Sequence, residues 1–202
     1  MGTVIMHSVV SVDGFIADEN DQPGPLHEWY FGGDTPITSD QASFDHSGVG
    51  SHFRVSRASA RYVAEVWDSL GTIVMGRRLF DLVDGWQGDP PAGEHVVVVS
   101  HRPKPAGWHP EASYHFLDEV AAAIAKAKEL AGDRTVAVNA GDVGAQALAA
   151  GLVDEVAMDV VPVVFGSGRR YFGRIDRQYL LEDPHVVIQG DGVLHLRFKV
   201  RA

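Results

Sequence analysis

The chain has 202 residues, enough for one full-sized domain with a substantial core or at most two small ones. Its formal net charge of −10 argues against a nucleic-acid partner, which needs a basic surface. The absence of cysteine excludes a disulfide framework, a thiolate zinc site and a cysteine nucleophile, and it fits a reducing cytoplasm.

Val4–Val10 reads as the first strand, followed by a loop rich in Gly, Pro and Asp from Ser11 to about Gly50. A loop of that length predicts a lid or a binding segment, and its Trp29-Tyr30-Phe31 cluster argues against simple disorder. Val63, Val66, Trp67 and Leu70 lie at helical spacing, which predicts a helix from Ser59, its N-cap, to Leu70. A strand at Thr72–Met75, a short helix from Arg77 to about Val83 and a strand at His95–Ser100 follow. Tyr114–Phe116 makes a short strand. Leu117, Val120, Ile124 and Ala127 then mark one face of an alanine-rich helix ending near Gly132. Thr135–Asn139 is a strand, Val143, Ala147 and Leu148 line the next helix, and Glu155–Val161 is a strand closed by Pro162. Finally, His185–Gln189 and Val193–Arg201 flank Gly190-Asp191-Gly192, a hairpin signal. The expected fold is one three-layer α/β/α domain over residues 1–202, with a mostly parallel mixed sheet and a C-terminal antiparallel hairpin.

Three apolar runs end in glycine, serine or arginine: Thr72–Met75 before Gly76-Arg77-Arg78, Val96–Val99 before Ser100-His101-Arg102, and Thr135–Val138 before Asn139-Ala140-Gly141-Asp142-Val143-Gly144. Unbroken Val/Ile runs suit strands buried on both faces of a parallel sheet, and ligands of such sheets sit beyond the strands' carboxyl ends. There glycine permits close backbone approach, a helix N-terminus offers free N–H groups to phosphate, and arginine adds bidentate donors. Solvated surface charge is the alternative for any single basic pair.

The order of Ser11-Val12-Asp13-Gly14-Phe15-Ile16-Ala17-Asp18, Val74-Met75-Gly76-Arg77-Arg78-Leu79-Phe80, Val99-Ser100-His101-Arg102-Pro103 and Gly151-Leu152-Val153-Asp154-Glu155, continued by Pro162 and Phe165-Gly166-Ser167-Gly168, resembles the dihydrofolate reductase-like family. The nearer branch is the reductase domain of the bifunctional riboflavin-biosynthesis deaminase/reductase and its stand-alone relatives. That resemblance implies an NADPH-dependent, cytoplasmic, homodimeric reductase of a small heterocyclic, carbonyl or imine substrate. Under it, Gly76, Arg77, Arg78, Ser100, His101 and Arg102 would grip the phosphates. Ala140, Gly141, Asp142, Val143, Gly144 and Gln146 would form a second cradle, and Val9, Ile16 and Ala17 would border the nicotinamide. Many relatives carry two adjacent glycines where this chain has Asn139-Ala140. The zinc deaminase half, which needs cysteine ligands, is absent.

A nicotinamide reductase also needs a proton source. Dihydrofolate reductases place a carboxylate five residues after a tryptophan, so the resemblance makes Asp34, five residues after Trp29, one candidate acid, and Asp13 is the other. His7, Asp13, Trp29 and Phe53 are the candidate substrate contacts, with core roles as the alternative for His7 and the aromatics. The ten histidines show no paired ligand spacing, so no metal is assigned. The partners expected are a small-molecule substrate and a second copy of the chain, with neither nucleic acid nor membrane. Competing readings are a reductase that uses a reduced deazaflavin and a non-catalytic dinucleotide-binding regulatory protein.

Overall fold

The computed structural model describes residues 2–38 and 53–201. Its centre is an eight-stranded sheet. Six strands run parallel: β1 (Val4–Ser11), β5 (Leu70–Gly76), β6 (His95–Val99), β7 (Tyr114–Leu117), β8 (Thr135–Asn139) and β9 (Glu155–Val161). The terminal hairpin, β11 (Val186–Gly190) and β12 (Val193–Lys199), adds antiparallel to β9, giving the order β11-β12-β9-β1-β8-β5-β6-β7. The unbroken apolar runs occupy the middle of this order, where both faces are covered. Val74, Val96, Val97, Val98, Val136 and Val138 are fully buried.

Helices pack on both faces. Helix α3 (Val120–Ala131) and α4 (Asp142–Ala149) bury Ala123, Ile124, Ala127, Ala147 and Leu148 against Met6, Val10, Val74, Val97, Val136 and Val138. On the opposite face lie α1 (Arg57–Ser69) and α2 (Arg77–Leu82). There the apolar surface divides in two. Val9, Val161 and Val193 pack with Leu26, Trp29, Tyr62 and Val63, whereas Ile73, Met75, Val96 and Val98 pack with Phe80 and Tyr114. The three-layer α/β/α arrangement and the mixed sheet agree with the pattern of the sequence.

Several local expectations need correcting. Helix α1 starts at Arg57, and its N-cap is Ser56, whose Oγ accepts from the Ser59 amide at 3.3 Å; Ser59 sits inside the first turn. Leu117 ends β7 and so precedes α3. The N-cap of α4 is Gly141, with Asp142 as its first residue, where a negative charge still favours the helix dipole. The first long loop carries β2 (Phe15–Ala17), a 3-10 turn at Gly24–Tyr30 and β3 (Thr35–Pro36), the last paired with β4 (Arg54–Val55). Its continuation over 39–50 lies outside the described residues. The turn after Pro162 contains β10 (Arg169–Arg170), antiparallel to β2. This pairing requires glycine at Gly168: its φ is +140°, and a Cβ there would lie 2.1 Å from the Ala17 carbonyl oxygen.

Among the described residues no helix is long and apolar enough to cross a membrane. Strand β11 forms one edge of the sheet, and its Val187 is exposed.

Candidate active site at the carboxyl rim

Because β8, β5 and β6 are neighbours and parallel, their carboxyl ends bring Gly141–Gly144, Gly76–Arg78 and Ser100–Arg102 to one rim. Gly76 caps α2 in an extended conformation without side-chain help. Gly141 has φ +93° and ψ −151°, a region open to glycine, and Ile16 Cδ1 lies 3.4 Å from where its Cβ would be. Neither Asn139 nor Ala140 adopts a positive φ, so their departure from the glycine pair imposes no backbone strain here. Val143 and Gly144 follow in the first turn of α4, and the exposed Gln146 donates to the Asp142 carbonyl at 3.2 Å.

The arginines of the rim are held by carboxylates. Arg77 Nε reaches Asp81 Oδ1 at 2.7 Å, and Arg102 Nη2 reaches Asp81 Oδ2 at 2.7 Å. Burial pushes the Asp81 carboxyl up, but the hydrogen bonds from Arg77 and Arg102 outweigh it and hold the group below the usual range. Asp21 takes Arg78 Nε at 2.7 Å and Arg169 Nε at 2.6 Å, and these bonds likewise lower its pKa. Ser100 Oγ donates to the Arg102 carbonyl at 2.7 Å and accepts from the Arg102 amide at 3.0 Å, fixing the turn that presents Arg102. His101 is exposed beside it. Asp21, Arg78, Asp81, Leu82 and Arg102 line an open pocket of about 470 Å³. Arg78 and Arg102 are both more than half exposed, so their ion pairs are weak enough for an incoming anion to exchange.

The remaining candidates fall in distinct places. Val9 and Ala17 are buried, and Ile16 faces Gly141. The Asp13 carboxylate accepts from Ser11 Oγ at 2.6 Å and from the amides of Gly166 and Phe165 at 2.7 and 3.2 Å. The Ser11 hydrogen bond is the main cause of its lowered pKa, so Asp13 is an ionised anchor between two loops. Asp34 is exposed and bonded to Thr35 Oγ1 at 2.8 Å, in the segment before β3. No helix carries it. Trp29 is buried, stacks on Tyr30 at 3.8 Å and meets His195 edge-on at 5.3 Å. Phe53 packs against Tyr30 and Phe31.

His7 is one end of a network that the sequence did not reveal. His7 Nε2 lies 2.9 Å from Asp159 Oδ2, and Asp159 Oδ1 lies 2.6 Å from His195 Nδ1. His195 Nε2 lies 2.9 Å from Ser59 Oγ, and Ser56 donates to that oxygen at 3.1 Å. The members sit on β1, β9, β12 and α1, and Val9↔Asp159↔His195 is a cross-strand register row. Burial would raise the Asp159 carboxyl, but the charge of His7 and the hydrogen bonds of both imidazoles hold it far below the usual range. Ser59, His195 and Asp159 have the composition of a hydrolase triad. Ser59, however, is fully buried, and a Cβ on Gly190 would lie 2.0 Å from its Oγ, so no substrate reaches it. Its hydroxyl is structural.

Residues 2–195 match the family described as the RibD C-terminal domain. The chain belongs to that family. A comparison with curated proteins finds no match. Among solved structures, this RibD-type domain is similar to a protein assigned to riboflavin biosynthesis from Shewanella sp. PV-4, with 17% identity, TM-score 0.68 and full coverage of both chains. It is also similar to Acinetobacter baumannii RibD, at 15% identity and TM-score 0.61, covering 100% of this chain and 58% of that one. A third is the Thermotoga maritima diaminohydroxyphosphoribosylaminopyrimidine deaminase/5-amino-6-(5-phosphoribosylamino)uracil reductase, at 14% identity and TM-score 0.58, covering 99% and 57%. The domain thus spans just under three fifths of the length of these last two proteins.

Proposed function

We propose that this RibD-type domain is a pyridine-nucleotide-dependent reductase using NADPH, with the coenzyme lying along the carboxyl rim and a small heterocyclic, carbonyl or imine compound as substrate. The observation that carries this reading is the convergence of three anion-suited stretches at the carboxyl ends of adjacent parallel strands, two of which, through Arg78 and Arg102, also line the open pocket. The donor set fits such a group. Gly141, whose own N–H is bonded to the Tyr171 carbonyl at 2.6 Å, leads into the first-turn amides of α4, and Ser100 fixes the turn presenting Arg102. When bound, the nicotinamide would supply a hydride.

In this reading Arg102 selects the 2′-phosphate of NADPH, and Arg78 exchanges part of its pairing with Asp21 for phosphate oxygens, while Arg77, 16% exposed and bonded also to the Arg102 and Pro103 carbonyls, braces the turn instead of reaching the phosphates. Ile16, beside Gly141, and Val9 exclude water near the ring. The Thermotoga relative, described as a 5-amino-6-(5-phosphoribosylamino)uracil reductase, makes that compound the first substrate to try, with dihydrofolate second.

Calorimetric titration of the protein with NADPH and NADH, followed by NADPH oxidation with each compound, tests the proposal. Preferential NADPH binding with substrate-dependent oxidation supports it. Tight binding without turnover across a carbonyl and imine panel would favour a non-catalytic dinucleotide-binding role. Turnover only with a reduced deazaflavin would reassign the hydride donor. We also propose that the open β11 edge pairs with a second copy; a monomer in sedimentation at micromolar concentration would remove that element.

A further inference from the structure

We propose that His7 is the acid that protonates the substrate, and that Asp159, backed by His195 and Ser59, is the positioning residue that holds His7 for this task. The inference rests on the reductase reading above and supplies the proton source which neither Asp13 nor Asp34 provides. Asp13 is consumed as a loop anchor, and Asp34 is exposed beside Thr35.

Hydrogen-bond accounting leads to His7. Asp159 is 2% exposed and ionised, so it only accepts, and both imidazoles must donate to it: His195 through Nδ1–H and His7 through Nε2–H. His195 is fully buried, and its remaining nitrogen, Nε2, accepts from Ser59, whose oxygen is in turn served by Ser56. Both of its nitrogens are therefore engaged, with no free valence. His7 is different. Its side chain is 32% exposed, and its Nδ1 is the open end of the chain of bonds. A carboxylate fixing one imidazole nitrogen so that the other can exchange protons is the logic by which histidine acts as an acid–base group.

The surroundings agree. His7 pairs in register with Asn139 of β8, the residue leading into the Gly141 cradle, so the imidazole stands beside the proposed coenzyme site. Asn139 Oδ1 is buried and has no hydrogen-bond partner among the described residues, an acceptor available to a substrate N–H. Facing this group are exposed His27, which feels both His7 and Asp159, and the phenols of Tyr30 and Tyr62, which burial and Asp159 push above their usual range. Arg197 and Glu155 are close by but paired with each other at 2.6 Å. Among the described residues only Asp159 pairs directly with His7.

The step balances. The substrate carbon of a C=N or C=O bond accepts a hydride from a reduced nicotinamide dinucleotide, and the π pair moves to the nitrogen or oxygen. That atom takes the proton from His7 Nδ1, and the neutral imidazole is reprotonated by solvent.

Two readouts test the proposal. In the ligand-free protein, nitrogen-resolved histidine NMR should show exchange-protected His7 Nε2–H and His195 Nδ1–H protons, both altered by Asp159→Asn. With NADPH and 5-amino-6-(5-phosphoribosylamino)uracil, His7→Gln should lower kcat about 100-fold or more. NADPH affinity should stay unchanged, and added imidazole should restore part of the activity of His7→Ala. Removing the carboxylate makes the His7 proton easier to lose. The fall of kcat with rising pH should therefore begin at lower pH in Asp159→Asn. Should that variant not fold, the wild-type His7 Nε2–H signal decides: a proton exchanging as fast as that of an exposed imidazole removes the role of Asp159. If His7→Gln binds NADPH and turns over normally, the relay is wrong and the reductase reading stands. If the wild-type protein neither binds nor oxidises NADPH, both fall. A pH profile unmoved by Asp159→Asn removes the role of Asp159.

Discussion

The arginine rim and the histidine relay are both built from charged pairs, yet they belong to different physical regimes. At the rim Arg78 and Arg102 are 63% and 65% exposed, and water screens their bonds to Asp21 and Asp81. Such pairs rearrange at small cost, as a site that must release its own carboxylates to admit a polyphosphate requires. In the relay, Asp159, His195 and Ser59 are almost wholly desolvated, and nearly every donor and acceptor has a partner. There a missing group leaves another buried and unpaired. Loose charge suits exchangeable binding, and locked charge suits the precise placement of one proton.

The comparison breaks most visibly at Asp159. Asp159→Ala strands two imidazole N–H groups and should destabilise the fold by about 3–5 kcal/mol, read as a fall in the denaturation midpoint. At the rim, Arg102→Ala should leave stability within about 0.5 kcal/mol while weakening NADPH binding by on the order of 1.5–3 kcal/mol in calorimetry. Equal stability losses at the two positions would erase the distinction.

Acid sharpens it. The pKa of Asp159 is depressed in the folded state, so its contribution is fully present above the unfolded carboxylate value of about 3.9 and is lost as pH falls below it. Denaturation curves between pH 5 and pH 2 should therefore fall more steeply for the wild-type protein than for Asp159→Asn. The smallest effect is expected at Asp81. Asp81→Asn should change stability by about 1 kcal/mol or less, and it should strengthen NADPH binding at low salt by freeing Arg102.

What the sequence revealed and concealed divides along the same line. Strands β8 and β9 lie where their apolar runs end, and β1, β5 and β6 differ from expectation by a residue or two, because burial on both faces writes itself into consecutive residues. The rim followed, since each stretch trails its own strand. Strands β2 and β10 are short pairings whose partners stand more than 150 positions apart, which no local pattern encodes. The start of α1 was misplaced because Ser56 and Ser59 are both competent caps, and only the backbone decides between them. The relay was invisible for the same reason as β10. His7, Asp159, His195 and Ser59 share no motif, and bonds spanning 36 to 152 positions assemble them. An acidic residue in the middle of an apolar strand, Asp159 within Val156–Val161, was the one local hint.

The claim on which everything else depends is that a phosphorylated nicotinamide dinucleotide occupies the rim, and paired calorimetric titrations of the wild-type protein and Arg102→Ala test it most directly. NADPH should bind the wild-type protein at least about tenfold tighter than NADH, a difference of about 1.4 kcal/mol, and the preference should disappear in the variant. Equal affinity for the two coenzymes, or no binding of either, would contradict it.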